Sequence, residues 1–162
     1  MAIENPQMTG EEKFRDAEYI SDPENRESIK REFQEAIETT LLDFSDQTGD
    51  SNFVFEKIEV PYQLDPPVVL AMATVSSKKL RYFLISWLPA QKTLTRTMIM
   101  IREGYEGKGI GSIMNPITEE IAKKLKCSSV TIEAIIRTSR DYWEKKPDYI
   151  LDKDKHSATK YF

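Results

Sequence analysis

Four glycines lie within eight residues in the segment REGYEGKGIGS, residues 102–112. Glycine takes positive φ angles freely and lets the backbone approach a ligand closely. The alternation of Gly107, Gly109 and Gly111 would let successive N–H groups converge on one concavity, with Lys108 adding a positive charge. The first N–H groups of the helix predicted directly afterwards would add to an anion site. The segment therefore indicates a cradle for a pyrophosphate, and a tight turn without a ligand is the alternative.

Two common phosphate-binding patterns fit this segment poorly. A P-loop, G-x-x-x-x-G-K-[ST], needs Ser or Thr directly after its lysine, whereas Gly109 follows Lys108. The Rossmann pattern, G-x-G-x-x-G, meets Ser112 at its third glycine position. Glu133 imitates the ribose-binding acid of that fold, but too few residues follow the loop for repeated βαβ units. The P-loop is rejected, and a Rossmann site is kept as a minor alternative.

Apolar periodicity predicts the elements that position this loop. Ser21 and Glu24 have the spacing of a capping box, Pro23 fits a first helical turn, and an apolar stripe follows, which together predict a helix over 21–44. Strand-like apolar runs predict an antiparallel meander over 53–60, 68–75, 80–88 and 94–101. Behind the loop the pattern predicts a helix over 110–127, a strand over 128–136, a short helix or turn over 138–146 and a closing hairpin over 148–162.

This order of elements predicts an α/β (α+β) fold. The strand–helix–strand unit around the loop predicts a right-handed parallel crossover, so the sheet is expected to be mixed and mostly antiparallel. The first twenty residues have little apolar periodicity, and we expect a flexible arm over 1–20 followed by a single domain over 21–162. Pro116 lies inside the predicted second long helix, where it predicts a kink or an irregular first part.

Composition narrows the classes of function. The chain has 162 residues, 40% of them hydrophobic and 31% charged, which is typical of a soluble globular protein. It contains no apolar run of about 18 residues that could span a bilayer and no secretory signal segment. Cys127, the only cysteine, fits a reducing compartment, so we expect a cytoplasmic protein in which Cys127 is a packing residue. The net charge of −4 and the absence of a long Lys/Arg block argue against nucleic-acid binding, and no Cys/His/Asp spacing indicates a metal.

The segment IMIREGYEGKGIGSIMNPITEEIAKKLKCSSVTIEA resembles the signature of the GNAT superfamily of acyl-CoA N-acyltransferases. The family pattern is an apolar strand, a splayed turn, then [RQ]-x-x-G-x-[GA] opening a helix, and a following strand. The six-residue motif falls here on Glu106, Gly107, Lys108, Gly109, Ile110 and Gly111. Glu106 departs from the usual Arg or Gln, and Pro116 is a second departure. The likeness is good over 94–134 and poor over the first twenty residues.

The resemblance implies a GNAT-like mixed sheet with helices on both faces and a splayed cleft that binds acetyl-CoA or another acyl-CoA as donor substrate. The pyrophosphate of coenzyme A would lie on the N–H groups of residues 107–112. The pantetheine arm would pair with the strand that ends at Met100 and Ile101, as an added strand would. The implied donor-binding residues are Met100, Ile101, Glu106, Gly107, Lys108, Gly109, Ile110, Gly111 and Ser112.

The same resemblance implies an acid and a base for acyl transfer. In the family, a tyrosine within a pattern close to F-Y-x-K-x-G-F protonates the leaving thiolate, and the matching stretch here is YWEKKPDY. A slip of one residue makes Tyr142 the acid and leaves Tyr149 in reserve, and the alternative is that Tyr142 and Trp143 only pack on the sheet. Glu133 is the first candidate for the base that accepts the amine's proton, directly or through water, and Glu103 is the second.

We therefore expect an acyl-CoA-dependent N-acyltransferase, with acetyl-CoA as the donor, that transfers the acyl group directly to an amine of a small molecule or protein. The alternative from another class is a non-catalytic GNAT-like module that binds coenzyme A or a protein partner. The expected partners are the acyl-CoA and an amine-bearing acceptor, and the sequence leaves both a monomer and a homodimer open. No nucleic-acid or membrane partner is expected, and the sequence does not identify the acceptor.

Overall fold

The computed structural model describes residues 18–61, 68–133, 140–152, 154 and 156–162. Helix α1 spans Pro23–Asp43 and is followed by a short helix, α2, over Ser45–Thr48. The predicted capping residue of α1 was wrong by one position. Asp22 is the N-cap, and its carboxylate accepts a 2.9 Å hydrogen bond from the Glu24 N–H, whereas the Ser21 hydroxyl donates to the Glu18 carbonyl. Proline at the first helical position makes the residue before it the cap.

The described strands form one seven-stranded sheet. They are β1 (Phe53–Glu59), β2 (Ala71–Ser77), β3 (Leu80–Leu88), β4 (Thr93–Ile101), β5 (Ser129–Ile132), β6 (Ile150–Asp152) and β7 (Ser157–Tyr161). Their order in the sheet is β1-β2-β3-β4-β5-β7-β6. Only the β4–β5 pairing is parallel among these strands, and the other pairings are antiparallel. The prediction of a mixed, mostly antiparallel α/β fold is confirmed.

Two further helices follow the meander. Helix α3 spans Ile110–Lys124 between β4 and β5, and helix α4 spans Arg140–Glu144 before the closing hairpin of β6 and β7. The predicted element types are confirmed in their order, and residues 134–136 of the predicted fifth strand lie outside the described residues. Strand β2 begins three residues later than predicted. Val69 is buried in the core without joining the strand ladder, because an apolar side chain can fill the core from an irregular segment.

The core lies between the sheet and the helices α1 and α3. Phe33 of α1 packs on Trp87 of β3 with the ring centroids 5.9 Å apart, and Lys124 of α3 pairs with Asp43 of α1 at 2.8 Å. The sequence predicted helices on both faces of the sheet. In the described part of the chain, α1 contacts β1, β2 and α3, and α3 contacts β4 and β5.

The first described residues, 18–21, contribute to this core. Residues 1–17 of the predicted arm lie outside the described residues, whereas 18–21 are helical and the side chain of Ile20 is fully buried. None of the helices in the described ranges has both the length and the apolar content that crossing a lipid bilayer requires.

Candidate functional site

The glycine loop lies between the end of β4 and the start of α3. Gly104, Gly107 and Gly109 have φ angles of +90°, +71° and +78°, in the left-handed region that favours glycine. A Cβ atom at any of the three would meet nothing within 4 Å, so these glycines are required by the direction of the backbone and not by lack of space. The loop is anchored at Arg102, whose N–H donates to the Lys79 carbonyl at 2.8 Å and whose Nε donates to the Ser77 carbonyl at 2.8 Å.

The backbone N–H groups of this loop are open. Among the described residues, none accepts a hydrogen bond from the N–H groups of residues 106–112, and the first bond behind them runs from the Ile113 N–H to the Gly109 carbonyl at 3.2 Å. Helix α3 has no side-chain cap and no acidic residue in its first turn. The side chains of Glu106 and Lys108 are exposed. The positive end of the α3 dipole is thus uncompensated, and the arrangement can receive an anion.

Strands β4 and β5 part beside this loop. Their pairing ends at Arg96 and Ile132, with a last 2.9 Å bond from the Glu133 N–H to the Arg96 carbonyl. Strand β4 continues to Ile101, and in the described residues only β3 pairs with that stretch. Its second edge, residues 97–101, is therefore open to a ligand that pairs as a strand does.

A β-bulge marks the point of parting. Arg96 pairs with Ile85 and Met98 pairs with Leu84, so the register leaves Thr97 as an extra residue. A bulge bends its strand and re-aims the side chains that follow. Ile99 and Ile101 consequently turn toward the core, and Met98 and Met100 are exposed on the other face. The predicted donor-binding residues Met100 and Ile101 thus lie on the open stretch of β4.

A hydrogen-bonded chain of three side chains joins β4, α3 and α4. The Arg96 Nη1 donates to the Asn115 Oδ1 at 2.6 Å, and the Asn115 Nδ2 donates to the Tyr142 hydroxyl oxygen at 2.7 Å. Arg96 is only 8% exposed, and its Cζ lies 5.9 Å from the centroid of the Trp143 ring. Burial lowers the pKa of Arg96 from 12.5 to about 10, so the guanidinium is still a cation at neutral pH. No described carboxylate forms an ion pair with it.

A cavity of about 400 Å³ lies beside these hydrogen-bonded side chains. It is lined by Ser112, Asn115, Pro116, Glu119, Trp143, Lys146, Asp148, Tyr149 and Lys160. The Tyr149 hydroxyl donates to the Glu119 Oε1 at 2.7 Å, and the Glu119 Oε2 pairs with the Lys160 Nζ at 3.3 Å. Burial, with the bond to Glu119 and its negative charge, raises the pKa of Tyr149 well above its ordinary range. The proton of Tyr149 therefore stays on its hydroxyl oxygen and is engaged in the hydrogen bond to Glu119.

The predicted catalytic side chains lie near the cavity and the parting of the strands. Tyr142 is partly exposed and contacts the cavity wall through Asn115, Trp143 and the Lys146 Nζ, which lies 5.0 Å from its ring centroid. Trp143 is buried. Glu133 is exposed directly after β5. These roles stay predictions, because no contact in the structure tests them.

Other residues that the sequence analysis considered lie away from Arg96, Asn115 and Tyr142. Glu103 is exposed in the glycine loop. Cys127 is buried, and burial raises the pKa of its thiol to about 11, which disfavours a nucleophilic thiolate. No group of three or more His, Cys, Asp or Glu side chains in the described ranges could hold a metal ion.

Sequence reasoning missed Arg96 and Asn115. The available signals were a single arginine in the otherwise uncharged run LTRTMIMI and an asparagine on the apolar side of the α3 periodicity. A charge in a strand whose neighbours are buried needs a partner, and this requirement could have drawn attention to both residues.

The comparisons with known proteins are sparse. No family model matches the chain, and no curated protein matches it. The chain is similar in structure to one described as "Crystal structure of putative acetyltransferase from Agrobacterium tumefaciens". That structure is 15% identical, has a TM-score of 0.35, and the match covers 76% of this chain and 86% of the other.

Proposed function

We propose that this protein is a GNAT-type N-acyltransferase that uses an acyl-CoA, with acetyl-CoA as the donor, to acylate an amine. The proposal is supported by the position of the glycine loop at the end of the open edge of β4. The N–H groups of residues 106–112 have no described acceptor, and they lie at the end of the open β4 edge, residues 97–101. Coenzyme A has the two matching parts, a pyrophosphate for the loop and an amide-bearing arm that can pair as a strand does.

The donor would bind chiefly through backbone groups. The pyrophosphate accepts hydrogen bonds from the N–H groups of residues 107–112, and the exposed Lys108 adds a positive charge nearby. The pantetheine amides pair with β4 at Met100 and Ile101. Glu106 is exposed, so its carboxylate can point to solvent and leave its backbone to the ligand. This weakens the objection that Glu106 replaces the Arg or Gln of the family motif.

The acyl transfer itself needs orientation and two proton transfers. The acceptor amine attacks the thioester carbonyl, a C–N bond forms and the C–S bond breaks. The proton of the attacking amine passes to Glu133, directly or through water, and Tyr142 gives its proton to the leaving sulfur. The products are the N-acyl amine and coenzyme A.

A binding experiment with a matched pair of variants tests the donor site. At 100 times its dissociation constant, acetyl-CoA stabilises the folded state by about 2.7 kcal/mol, which raises the Tm by about 5–10 °C for a domain of this size. Gly109→Asp introduces a carboxylate into the cradle, and we expect it to abolish this rise. Gly104→Asp is the control, because Gly104 also has a positive φ and open space but lies outside residues 106–112.

Both variants should lose about 1–2 kcal/mol of stability, because each places a side chain at a residue with a positive φ angle. The two variants are therefore compared by the rise in Tm that acetyl-CoA causes in each. A Gly109→Asp variant that keeps the full rise in Tm would contradict the donor site. Loss of the rise in both variants would assign the effect to the loop's conformation in general and not to the cradle.

The second candidate, a non-catalytic module that binds coenzyme A, is favoured by Glu106, Pro116 and the altered stretch YWEKKPDY, which all depart from the family pattern. Thiol release from acetyl-CoA, measured with a panel of amines, polyamines, aminoglycosides and basic peptides, distinguishes the two candidates. Binding of acetyl-CoA with no thiol release for any member of the panel would support the module. No rise in Tm at millimolar acetyl-CoA would rule out the enzyme.

A further inference from the structure

We propose that Asn115, fixed by Arg96, is a positioning residue that keeps the hydroxyl hydrogen of Tyr142 available for the leaving sulfur. This inference rests on the proposed function and adds to it the residues that orient its acid.

The direction of the hydrogen bonds follows from the chemistry of the three groups. A guanidinium only donates, so the Asn115 atom 2.6 Å from the Arg96 Nη1 must be the amide oxygen. The amide nitrogen of Asn115 therefore faces Tyr142, and it only donates. The Tyr142 oxygen, 2.7 Å away, must accept that bond. The O–H hydrogen of Tyr142 is thus directed away from Asn115.

That hydrogen has no acceptor among the described residues, and the hydroxyl lies beside the cavity wall formed by Asn115, Trp143 and Lys146. The nearby Tyr149 shows the opposite arrangement. Its hydroxyl donates to the Glu119 Oε1 at 2.7 Å, so its hydrogen is occupied. Of the two tyrosines that are candidates for the acid, Tyr142 has a hydroxyl hydrogen without an acceptor among the described residues, whereas that of Tyr149 is bonded to Glu119.

Arg96 orients the Asn115 amide through a hydrogen bond, which an apolar side chain of similar size could not do. Burying a cation without a carboxylate is unfavourable, and the Asn115 Oδ1 is its only hydrogen-bond acceptor in the described ranges. Arg96 is also the last β4 residue paired with β5, so it lies where the two strands part. Its guanidinium fixes which end of the Asn115 amide faces Tyr142.

The variant Asn115→Asp tests the direction of the bonds at nearly constant shape. An aspartate would pair with Arg96 and would accept the Tyr142 hydrogen, so the structural link is kept and the proton is withdrawn from the ligand. We expect the Tm to be unchanged or higher, the KM for acetyl-CoA to be unchanged, and kcat to fall by about 100-fold. Tyr142→Phe should lose a similar factor, and the double variant should lose no more than either single one.

A binding measurement tests the same hydrogen without turnover. At pH 9 a fraction of the coenzyme A thiol is ionised, and the Tyr142 O–H would donate to the thiolate sulfur and so favour binding of the ionised form. Wild-type protein should therefore bind coenzyme A about tenfold more tightly than desulfo-coenzyme A, from one charge-assisted hydrogen bond. Tyr142→Phe and Asn115→Asp should both lose this preference, and Tyr149→Phe should keep it.

The outcomes separate this inference from the proposed function. If wild-type protein neither binds acetyl-CoA nor releases thiol, the proposed function fails. If wild-type protein turns over and Asn115→Asp has the wild-type kcat, or the double variant loses the product of the two single effects, only the positioning role is overturned. It is also overturned if Tyr149→Phe, and not Tyr142→Phe, removes the preference for coenzyme A. That second comparison does not need Asn115→Asp to fold.

Discussion

At the scale of single residues, Arg96 is a charged side chain in surroundings that are unusual for its chemical type. It is a cation on a strand that also buries Leu94, it donates a hydrogen bond to an amide oxygen, and it lies over the ring of Trp143. Burial lowers its pKa because the charged form is poorly solvated there. A residue of this kind reduces stability, so it indicates a use for the charge.

Arg96→Met is expected to raise stability and lower activity. Methionine fills a similar volume without a charge, so the free energy of unfolding should rise by about 1–3 kcal/mol. Asn115 would then lose the donor that fixes its amide, and turnover should fall while acetyl-CoA still binds. Chemical denaturation with urea measures the first effect, and steady-state thiol release measures the second.

The exposed Arg81 offers the matched control for this substitution. Arg81→Met should change the free energy of unfolding by less than about 0.5 kcal/mol, as surface substitutions usually do. An Arg96→Met protein that unfolds at lower urea than the wild type would contradict the prediction, since it would show that the guanidinium stabilises the fold.

The sequence predicted some of these residues and missed others for a physical reason. The glycine loop could be found because positive φ angles leave a direct mark on residue type, at Gly107 and Gly109 for example. The link from Arg96 to Asn115 could not, because it depends on which turn of α3 lies over β4. That alignment is set by packing across the sheet and not by local spacing.

At the scale of elements, α3 combines an open N-terminus with an internal proline. The helix is continuous over Ile110–Lys124 although Pro116 has no N–H to donate to the Ser112 carbonyl. The missing hydrogen bond lies between Ser112 and Pro116, which are both exposed, and the kink that the sequence predicted stays a prediction. The rest of α3 is stabilised by its apolar face, which buries Met114, Ile117 and Ile121.

Pro116→Ala should therefore stabilise the protein. It restores one backbone hydrogen bond and removes the steric conflict of the ring, and the free energy of unfolding should rise by about 1–3 kcal/mol. Thermal and urea unfolding both measure this change. Glu120→Ala on the same helix is the control and should have an effect below about 0.5 kcal/mol. A lower Tm for Pro116→Ala would mean that the proline stabilises the native loop–helix junction.

Element boundaries were predictable where two signals agreed. Strand β3 lies over Leu80–Leu88 as predicted, because turn residues bound its apolar run on both sides. The start of α1 was misassigned by one residue because Ser21 and Asp22 are both good caps and only the position of Pro23 separates them. The bulge at Thr97 left no mark in the sequence, since its cause is the pairing with β3.

At the scale of the whole molecule, the parting of β4 from β5 divides the sheet into two parts. Strands β1 to β4 and strands β5 to β7 are joined in the described sheet by four residue pairs, from Thr93 with Ser129 to Arg96 with Ile132. Element order predicted this parallel junction, because a strand–helix–strand unit in one sheet makes its strands parallel. The face on which each helix packs depends on long-range contacts, which local spacing in the sequence does not report.

A ligand in this opening should have a regional effect on backbone hydrogen exchange. Amides that exchange within seconds to minutes do so from the native state, without global unfolding. We expect acetyl-CoA to slow this fast exchange at least tenfold for residues 106–112 and at the β4 edge, residues 97–101, because those N–H groups gain acceptors. Exposed amides of the α1–β1 connection should be unaffected and serve as the internal control. Uniform slowing, or slowing confined to β6 and β7, would mean that acetyl-CoA binds elsewhere, because a ligand in the proposed cleft must contact both the loop and the open strand edge.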